Sequence, residues 1–400
     1  MELVTASRPL KVVIYKDRYQ SSFMSPRASR HQVKPTLFVP FNRIRSNWDG
    51  FTVLPPVPGA GLVHAHNRIP LAAKRFICSF ENALPRAFGF SDSSLLRDAM
   101  QAALESKRCR RLVAMSHAAK RYFQAMQPDP AVRARLEAKL MVRHPNVHMG
   151  GPEDALAGDT AEHLHVTFVG GHFGRKGGAA CVRAAEIALA RRLPVTFHII
   201  SSLQVGQSTW LDPTLPDFFE PYLSKLSLPN IHFLAGLPNA EVRALLGRSH
   251  FLLLPTLADT FGFSMIEAMA EHTPVMASQL SAAPEVVAEG ANGYLLDLPA
   301  DPSGDWAYTN YGLRHTQEYA DRFREANESL AQQLIDRLEP LIAQREANAR
   351  LRHNAYVTAS RMFSARSQGA LWDALYERVA AEDLREEPTL DPVHDISSPA

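Results

Sequence analysis

Short apolar runs of strand length alternate with helix-patterned segments along this chain, and the alternation runs through twice. In the first series, residues 10–15 (LKVVIY), 36–39, 61–64, 75–80 and 112–115 read as buried strands. Residues 94–106 have helical spacing and end in the basic run 107–111, and 117–126 read as a helix with Ser116 as N-cap. A loop rich in Gly, Asp and Pro, 149–161, interrupts the pattern. The second series places strands at 165–169, 195–201, 232–234, 251–254, 275–277 and 293–295, with helices at 178–191, 240–247 and 264–271. Ala180, Ala184, Ile187 and Ala188 offer the first of these helices an apolar face. Short apolar strands separated by helices build a parallel sheet. The expected fold class is therefore α/β, with two doubly wound units at 1–150 and 160–362, the stretch 321–362 being helical. Four hundred residues also exceeds what one compact core usually holds. A last amphipathic helix lies within 363–380, and 386–400 has the composition of a disordered tail.

Charge divides the chain as well. Residues 1–150 carry 24 Lys and Arg against 9 Asp and Glu, a net +15, and the remainder carries 19 against 32, a net −13. Such asymmetry suggests that the first unit meets something anionic: a membrane surface, a phosphorylated lipid or nucleic acid. A solvated basic surface, or one docked on the acidic half, accounts for it equally. No RNP or helix-turn-helix pattern is present, so nucleic acid is not expected. The three cysteines, Cys78, Cys109 and Cys181, lack CxxC spacing, which argues for a reducing cytosol and against a zinc site. The first residues lack the apolar stretch of a signal peptide, and no segment reaches the ~18 apolar residues of a membrane span. No GxGxxG follows a strand, which disfavours a dinucleotide-binding dehydrogenase.

Two loops of the second unit carry the residues of interest. The run 255–269 (PTLADTFGFSMIEAM) leaves an apolar strand, passes Asp259, and enters a helix through Gly262, Phe263 and Ser264. Backbone N–H groups and the dipole at such a helix start favour phosphate. Asp259 precedes the helix and Glu267 lies on its second turn, so the two carboxylates can hold different hydroxyls of one ligand. A simple cap and a solvated helix glutamate have the same appearance. The second loop, 169–178, reads VGGHFGRKGG, with Arg175 and Lys176 between a strand and a helix. Glycines there let the backbone approach a phosphate, and the cations can neutralise it.

These residues resemble the signature of retaining glycosyltransferases of the GT-B fold, family 4 (glycosyl transferases group 1): an acidic residue, seven residues, then Glu, in strand–loop–helix context. Asp259 stands where the family usually has Glu. The match continues through 273–278, 283–287 and 290–296, and upstream through 230–247, so it covers about 166–296. The resemblance implies two Rossmann-like domains facing across a cleft, with 363–380 packing back on the first. It implies that Glu267 accepts hydrogen bonds from the nucleotide ribose and that Asp259 holds donor-sugar hydroxyls. Backbone near Gly262, Phe263 and Ser264 would bind the diphosphate, Lys176 would neutralise the leaving group, and backbone near Gly236 and Leu237 would meet the base. The donor is then a nucleotide-diphosphate sugar, a co-substrate, and neither cofactor nor metal is implied. The acceptor would be a glycan or glycolipid, at the cytoplasmic side, with the basic first domain offering peripheral contact to an anionic membrane.

Besides Asp259, three places depart from the family. Gly171 occupies the place of an Arg, leaving Arg175 as a substitute from another backbone position. The loop after the first strand reads Tyr19-Gln20-Ser21-Ser22 where a glycine pair is usual. Glu81 stands where a His commonly follows the fourth strand, and could accept a proton or a sugar hydroxyl. On the acceptor side the resemblance places His66 and Asn67, within 62–67. His64 and His66 have metal-like spacing, though a pair at strand spacing is commonly structural. The departures keep two other readings open: a catalytically weak or inactive nucleotide-sugar-binding partner protein of the same fold, and a GT-B-fold epimerase.

Overall fold

The computed structural model describes residues 9–15, 22–38, 51–52, 59–86, 95–151, 162–388 and 390. The chain divides into two compact units, Met1–His148 with Met362–Ala400, and Met149–Arg361. Each contains a six-stranded, fully parallel sheet.

In the first unit the strands are β1 (Lys11–Tyr15), β2 (Gln32–Thr36), β4 (Leu62–His66), β6 (Phe76–Phe80), β7 (Cys109–Ala114) and β8 (Leu140–Val142), in the order β2-β1-β4-β6-β7-β8. A small separate pair joins β3 (Phe51–Thr52) to β5 (Ile69–Pro70). Among the described residues up to His148 the helices are α1 (Leu95–Glu105), α2 (His117–Ala125) and α3 (Pro130–Glu137). Ser116 caps α2, its Oγ accepting from Ala119 N at 2.9 Å. The strand expected at 36–39 lies instead at Gln32–Thr36, and Leu37 is 72% exposed. Pro35 sits inside β2, which is tolerated because β2 is an edge strand.

The basic run 107–111 leads into a buried strand rather than ending the helix, which stops at Glu105. β7 begins at Cys109, and Arg110 and Arg111 are buried within it. Arg110 Nε donates to Glu382 Oε2 at 2.6 Å, and Arg111 forms an ion pair with the same carboxylate. Burial of two guanidinium groups is tolerable only with such partners.

The second unit contains β9 (Leu164–Val169), α4 (Gly178–Ala190), β10 (Val195–Ile200), α5 (Glu220–Leu223), β11 (Ile231–Leu234), α6 (Asn239–Gly247), β12 (Phe251–Leu254), α7 (Phe263–Ala270), β13 (Val275–Ser278), α8 (Ala283–Val286), β14 (Gly293–Leu296), α9 (Gln317–Leu338) and α10 (Arg345–Met362), the last ending at the unit boundary. Its sheet order is β11-β10-β9-β12-β13-β14. Alternate residues Val166 and Phe168, Phe197 and Ile199, and Phe251 and Leu253 form one buried cluster with Ala180, Ala184 and Ala188 of α4 and Phe323, Leu330 and Leu334 of α9. The single helix expected over 321–362 is two. Pro340 cannot donate a helical hydrogen bond, and α9 gives way to a short 3₁₀ turn before α10 starts at Arg345.

The final helix, α11 (Ala365–Ala381), belongs to the first unit. Ser29 Oγ and Arg30 N both donate to the Asp373 carboxylate, at 2.5 and 2.9 Å, and Trp372 and Tyr376 are buried. Of the tail expected at 386–400, residues 389 and 391–400 lie outside the described residues, as do Tyr19, Gln20 and Ser21. Among the described residues no helix is long and apolar enough to cross a membrane.

Candidate functional site

The order of the second sheet reverses direction between β9 and β12: the chain runs outward from β9 to β11, then returns to β12 beside β9. Ligands of doubly wound sheets sit outside the carboxyl ends of the strands at such a point. The two loops singled out in the sequence leave these two strands. The glycine-rich loop follows β9 at Val169, and the Asp259 loop follows β12 at Leu254.

The loops are bound to each other through backbone. The carbonyl of Arg175 accepts from Leu257 N at 2.9 Å and from Thr256 Oγ1 at 2.9 Å, and Arg175 Nη1 donates to Ala258 O at 2.7 Å. Gly177 caps α4 with φ +87°, and a Cβ there would overlap Pro255 O, so only glycine lets the loops meet. Gly171, where no cation is available, offers its carbonyl to Gln204 N at 3.0 Å.

Lys176 and Asp259, one from each loop, form an ion pair, and both side chains are largely buried. Burial alone would raise the Asp259 carboxyl. Lys176 and Arg175 outweigh it and hold the group below the usual carboxylate range, so Asp259 is ionised. Gly262 then caps α7 in the left-handed region, with φ +78°. The first turn of α7, at Phe263 and Ser264, is the positive end of the helix dipole. Glu267 lies one turn later, 5% exposed, with Oε1 accepting from Asn239 Nδ2 at 2.9 Å. Gly236 and Leu237 lie in the segment between β11 and α6, where Gly236 is exposed with open space about its Cα. An ionised carboxylate beside a lysine, a helix start and a second, oriented carboxylate together offer a site for an anion bearing hydroxyl groups.

Comparison with known proteins assigns this region. Residues 163–308 match the family described as Glycosyl transferases group 1. This region is a group 1 glycosyltransferase domain. An MMP alpha-(1->4)-mannosyltransferase of Mycolicibacterium hassiacum is 33% identical over 111 residues, which is 26% of either chain. The match thus spans about a quarter of that relative's length. A solved glycosyltransferase from Rickettsia africae superposes with TM-score 0.54 at 15% identity, covering 81% of this chain and 78% of its own. Anabaena Alr3699/HepE, solved in complex with UDP and glucose, superposes with TM-score 0.53 at 16% identity over 88% of each chain. The fold is GT-B.

The other expected site residues lie buried in the first unit. His66, Asn67 and Glu81 are all under 10% exposed. Ser79 Oγ donates to Ala65 O at 3.1 Å and stands 3.2 Å from His64 Nε2 and 3.0 Å from His66 Nδ1. Both imidazoles therefore donate to Ser79. His64 Nδ1 is left to accept from Tyr376 OH at 2.7 Å, and His66 Nε2 from Asn67 Nδ2 at 3.1 Å. Asn67 Nδ2 gives its second proton to Glu81 Oε1 at 3.1 Å, and Arg86 pairs with that same oxygen at 2.7 Å. Asn67 itself adopts φ +57°, and its Oδ1 accepts from Glu81 N at 3.0 Å. Burial pushes both histidines down to about 3, so both are neutral. Among the described residues no group of three or more His, Cys, Asp or Glu is placed to hold a metal ion.

The sequence reading missed Asn239 and Arg86. Asn239 was passed over because the helix was taken to begin at Ala240. The signal was there, an Asn following Pro238 at a helix start. Arg86 carries no motif, and nothing in the sequence points to its pairing with Glu81.

Proposed function

We propose that the protein transfers a hexosyl unit from a nucleotide-diphosphate sugar to a glycan or glycolipid acceptor, with retention of configuration and without a metal. The observation that carries this reading is the placement of Lys176, Asp259, the α7 start and Glu267 at the one point where the second sheet reverses its order. In this scheme the diphosphate binds at the start of α7 and draws Lys176 toward itself, which leaves Asp259 to hydroxyls of the donor sugar. Glu267, held by Asn239, takes the ribose hydroxyls. Charge developing on the departing nucleoside diphosphate is stabilised by groups already oriented, the largest single contribution in many enzymes. The acceptor hydroxyl attacks from the face the leaving group departs, and the leaving phosphate takes its proton.

Calorimetry with a panel of nucleotide sugars tests this, on the wild type and on Glu267→Ala, followed by release of nucleoside diphosphate with and without acceptor. Binding that disappears in the variant, with acceptor-dependent release, is expected. Donor affinity unchanged in Glu267→Ala would sink the assignment of the ribose. Binding without any release would favour a nucleotide-sugar-binding partner protein. We also propose peripheral contact of the basic first unit with an anionic membrane at the cytoplasmic face. Salt-sensitive co-sedimentation with anionic vesicles is expected, and indifference to vesicle charge would remove this part.

A further inference from the structure

One buried carboxyl group beside the donor loop is not used by the site described above. Asp212 lies in the segment between β10 and α5 and is fully buried. Its Oδ2 accepts from Gly206 N at 3.1 Å, and its own N–H donates to Thr209 Oγ1 at 3.1 Å. Its Oδ1 is buried without a hydrogen-bond partner. The carboxylate lies directly against the glycine-rich loop: a Cβ on Gly174 would overlap it, with Oδ1 at 2.7 Å. Gly174 is thus glycine because Asp212 occupies the space a side chain would need.

The next residue along that loop is Arg175, whose Nε is likewise buried without a hydrogen-bond partner. A buried acceptor and a buried donor have therefore both been left unmatched on either side of one glycine. Unpaired buried polar atoms are few in folded proteins, and each calls for a reason. The charged and titratable groups around Asp212 can be named. Arg175 faces it from the donor loop. Arg314 donates to the carbonyls of Asp212, Gly206 and Thr209 at 2.7, 2.8 and 2.7 Å, and Tyr319 OH donates to Leu211 O at 2.7 Å. His172, Lys176 and Asp259 lie farther along the loops. Arg314 gives its Nε and Nη2 protons to carbonyls, whereas Arg175 holds a buried Nε–H without a hydrogen-bond partner.

We propose that Asp212 is a positioning residue for Arg175: when a diphosphate enters the donor loop, Arg175 Nε–H turns onto Asp212 Oδ1, and the guanidinium so oriented supplies the cation that Gly171 cannot. This rests on the function proposed above, and it answers how the chain manages with glycine at that position. Burial, which outweighs the pull of Thr209, Gly206, Arg175 and Arg314, pushes the Asp212 carboxyl up to about 6, so near pH 8 the group is ionised and ready to accept.

The test uses the full chain at pH 8 with inorganic pyrophosphate as the probe. Its affinity is measured by calorimetry for the wild type, Asp212→Asn, Arg175→Ala and the double variant, with a melting temperature for each. Each single change is expected to weaken pyrophosphate by about tenfold, the value of one hydrogen bond to a charged group. The double variant should be no weaker than Arg175→Ala alone. Asp212→Asn should not lower the melting temperature, whereas loss of a purely structural carboxylate would. Gly174→Ala, which crowds the carboxylate without removing it, should weaken pyrophosphate as well. Additive losses in the double variant overturn the proposal, as does a wild type that binds no pyrophosphate. The function itself is judged separately: loss of nucleotide-sugar binding in Glu267→Ala sustains it even where the Asp212 arms fail.

Discussion

Glu267 and Asp259 illustrate how two carboxylates eight positions apart take different partners from their surroundings. Asp259 faces a lysine and an arginine, whereas Glu267 is nearly buried and is oriented by the amide of Asn239. The amide fixes the direction of the carboxylate, so Asn239→Ala should weaken donor binding by about tenfold without unfolding the protein. Titration calorimetry beside a thermal melt checks this, and a loss of affinity as large as that of Glu267→Ala would mean that Asn239 itself meets the donor. Asp212 gives a second expectation at this scale. Its carboxyl stands near 6 in the folded chain against about 3.9 unfolded. The folded state therefore binds the extra proton between those values, and stability contributed by Asp212 is present at low pH and lost as pH rises through about 6. Asp212→Asn should raise stability at pH 8 by up to ~3 kcal/mol and change it far less at pH 4. Denaturant melts at the two pH values measure the difference. At this scale the sequence showed the residues that bear charge within a motif, Lys176, Asp259 and Glu267. It could place Asn239 at a helix start but could not show what Asn239 or Asp212 would meet, because Glu267 and Gly174 lie 28 and 38 positions away.

Loops, caps and strands obey constraints that are more local, and much of this level was readable. The Ser116 cap, the limits of β12 at Phe251–Leu254 and the glycine start of α7 follow from neighbouring residues alone. The errors arose where distant structure overrode local pattern. Residues 107–111 read as the basic end of a helical segment, yet Glu382, far along the chain, allows Arg110 and Arg111 to enter a buried strand. Gln32–Thr36 contains polar residues and a proline, yet edge position in the sheet permits a strand there. The two left-handed glycines of the candidate site invite a direct comparison. Alanine at Gly262 meets the ends of Leu254 and Met265 side chains, which can yield, so the cost is chiefly the ~1–2 kcal/mol of a left-handed alanine. Alanine at Gly177 meets the carbonyl of Pro255, which is backbone and cannot yield. Gly177→Ala should therefore destabilise by several kcal/mol more, or part the two donor loops and abolish binding, while Gly262→Ala retains a folded protein. Melting temperatures for both settle the order.

For the whole molecule, acid should act unevenly. His64 and His66 are held neutral in the folded first unit, near 3, against about 6.5 when unfolded. A depressed histidine contributes stability that is full above the unfolded value and is lost as pH falls toward the folded one. The first unit is thus expected to lose stability between about pH 6.5 and 3. Near-ultraviolet circular dichroism from Trp372, which packs 4.5 Å from His64, reports it, and His64→Gln should shift that loss to lower pH. The fold class was legible at this scale because strand–helix alternation needs no long-range knowledge. The last helix was different: only the resemblance, not the pattern, gave it a destination. Its place in the first unit has a consequence for biosynthesis. A nascent chain that has left the ribosome as far as Arg361 has exposed every residue of the second unit, yet lacks Trp372, Tyr376 and Glu382. Until those arrive, His64 has no tyrosine to accept from, and Arg110 and Arg111 have no carboxylate to enter the sheet with. The unit begun before the other is thus completed after it, so a stop codon introduced between Arg361 and Trp372 should spare the second unit and leave the first one to the chaperones.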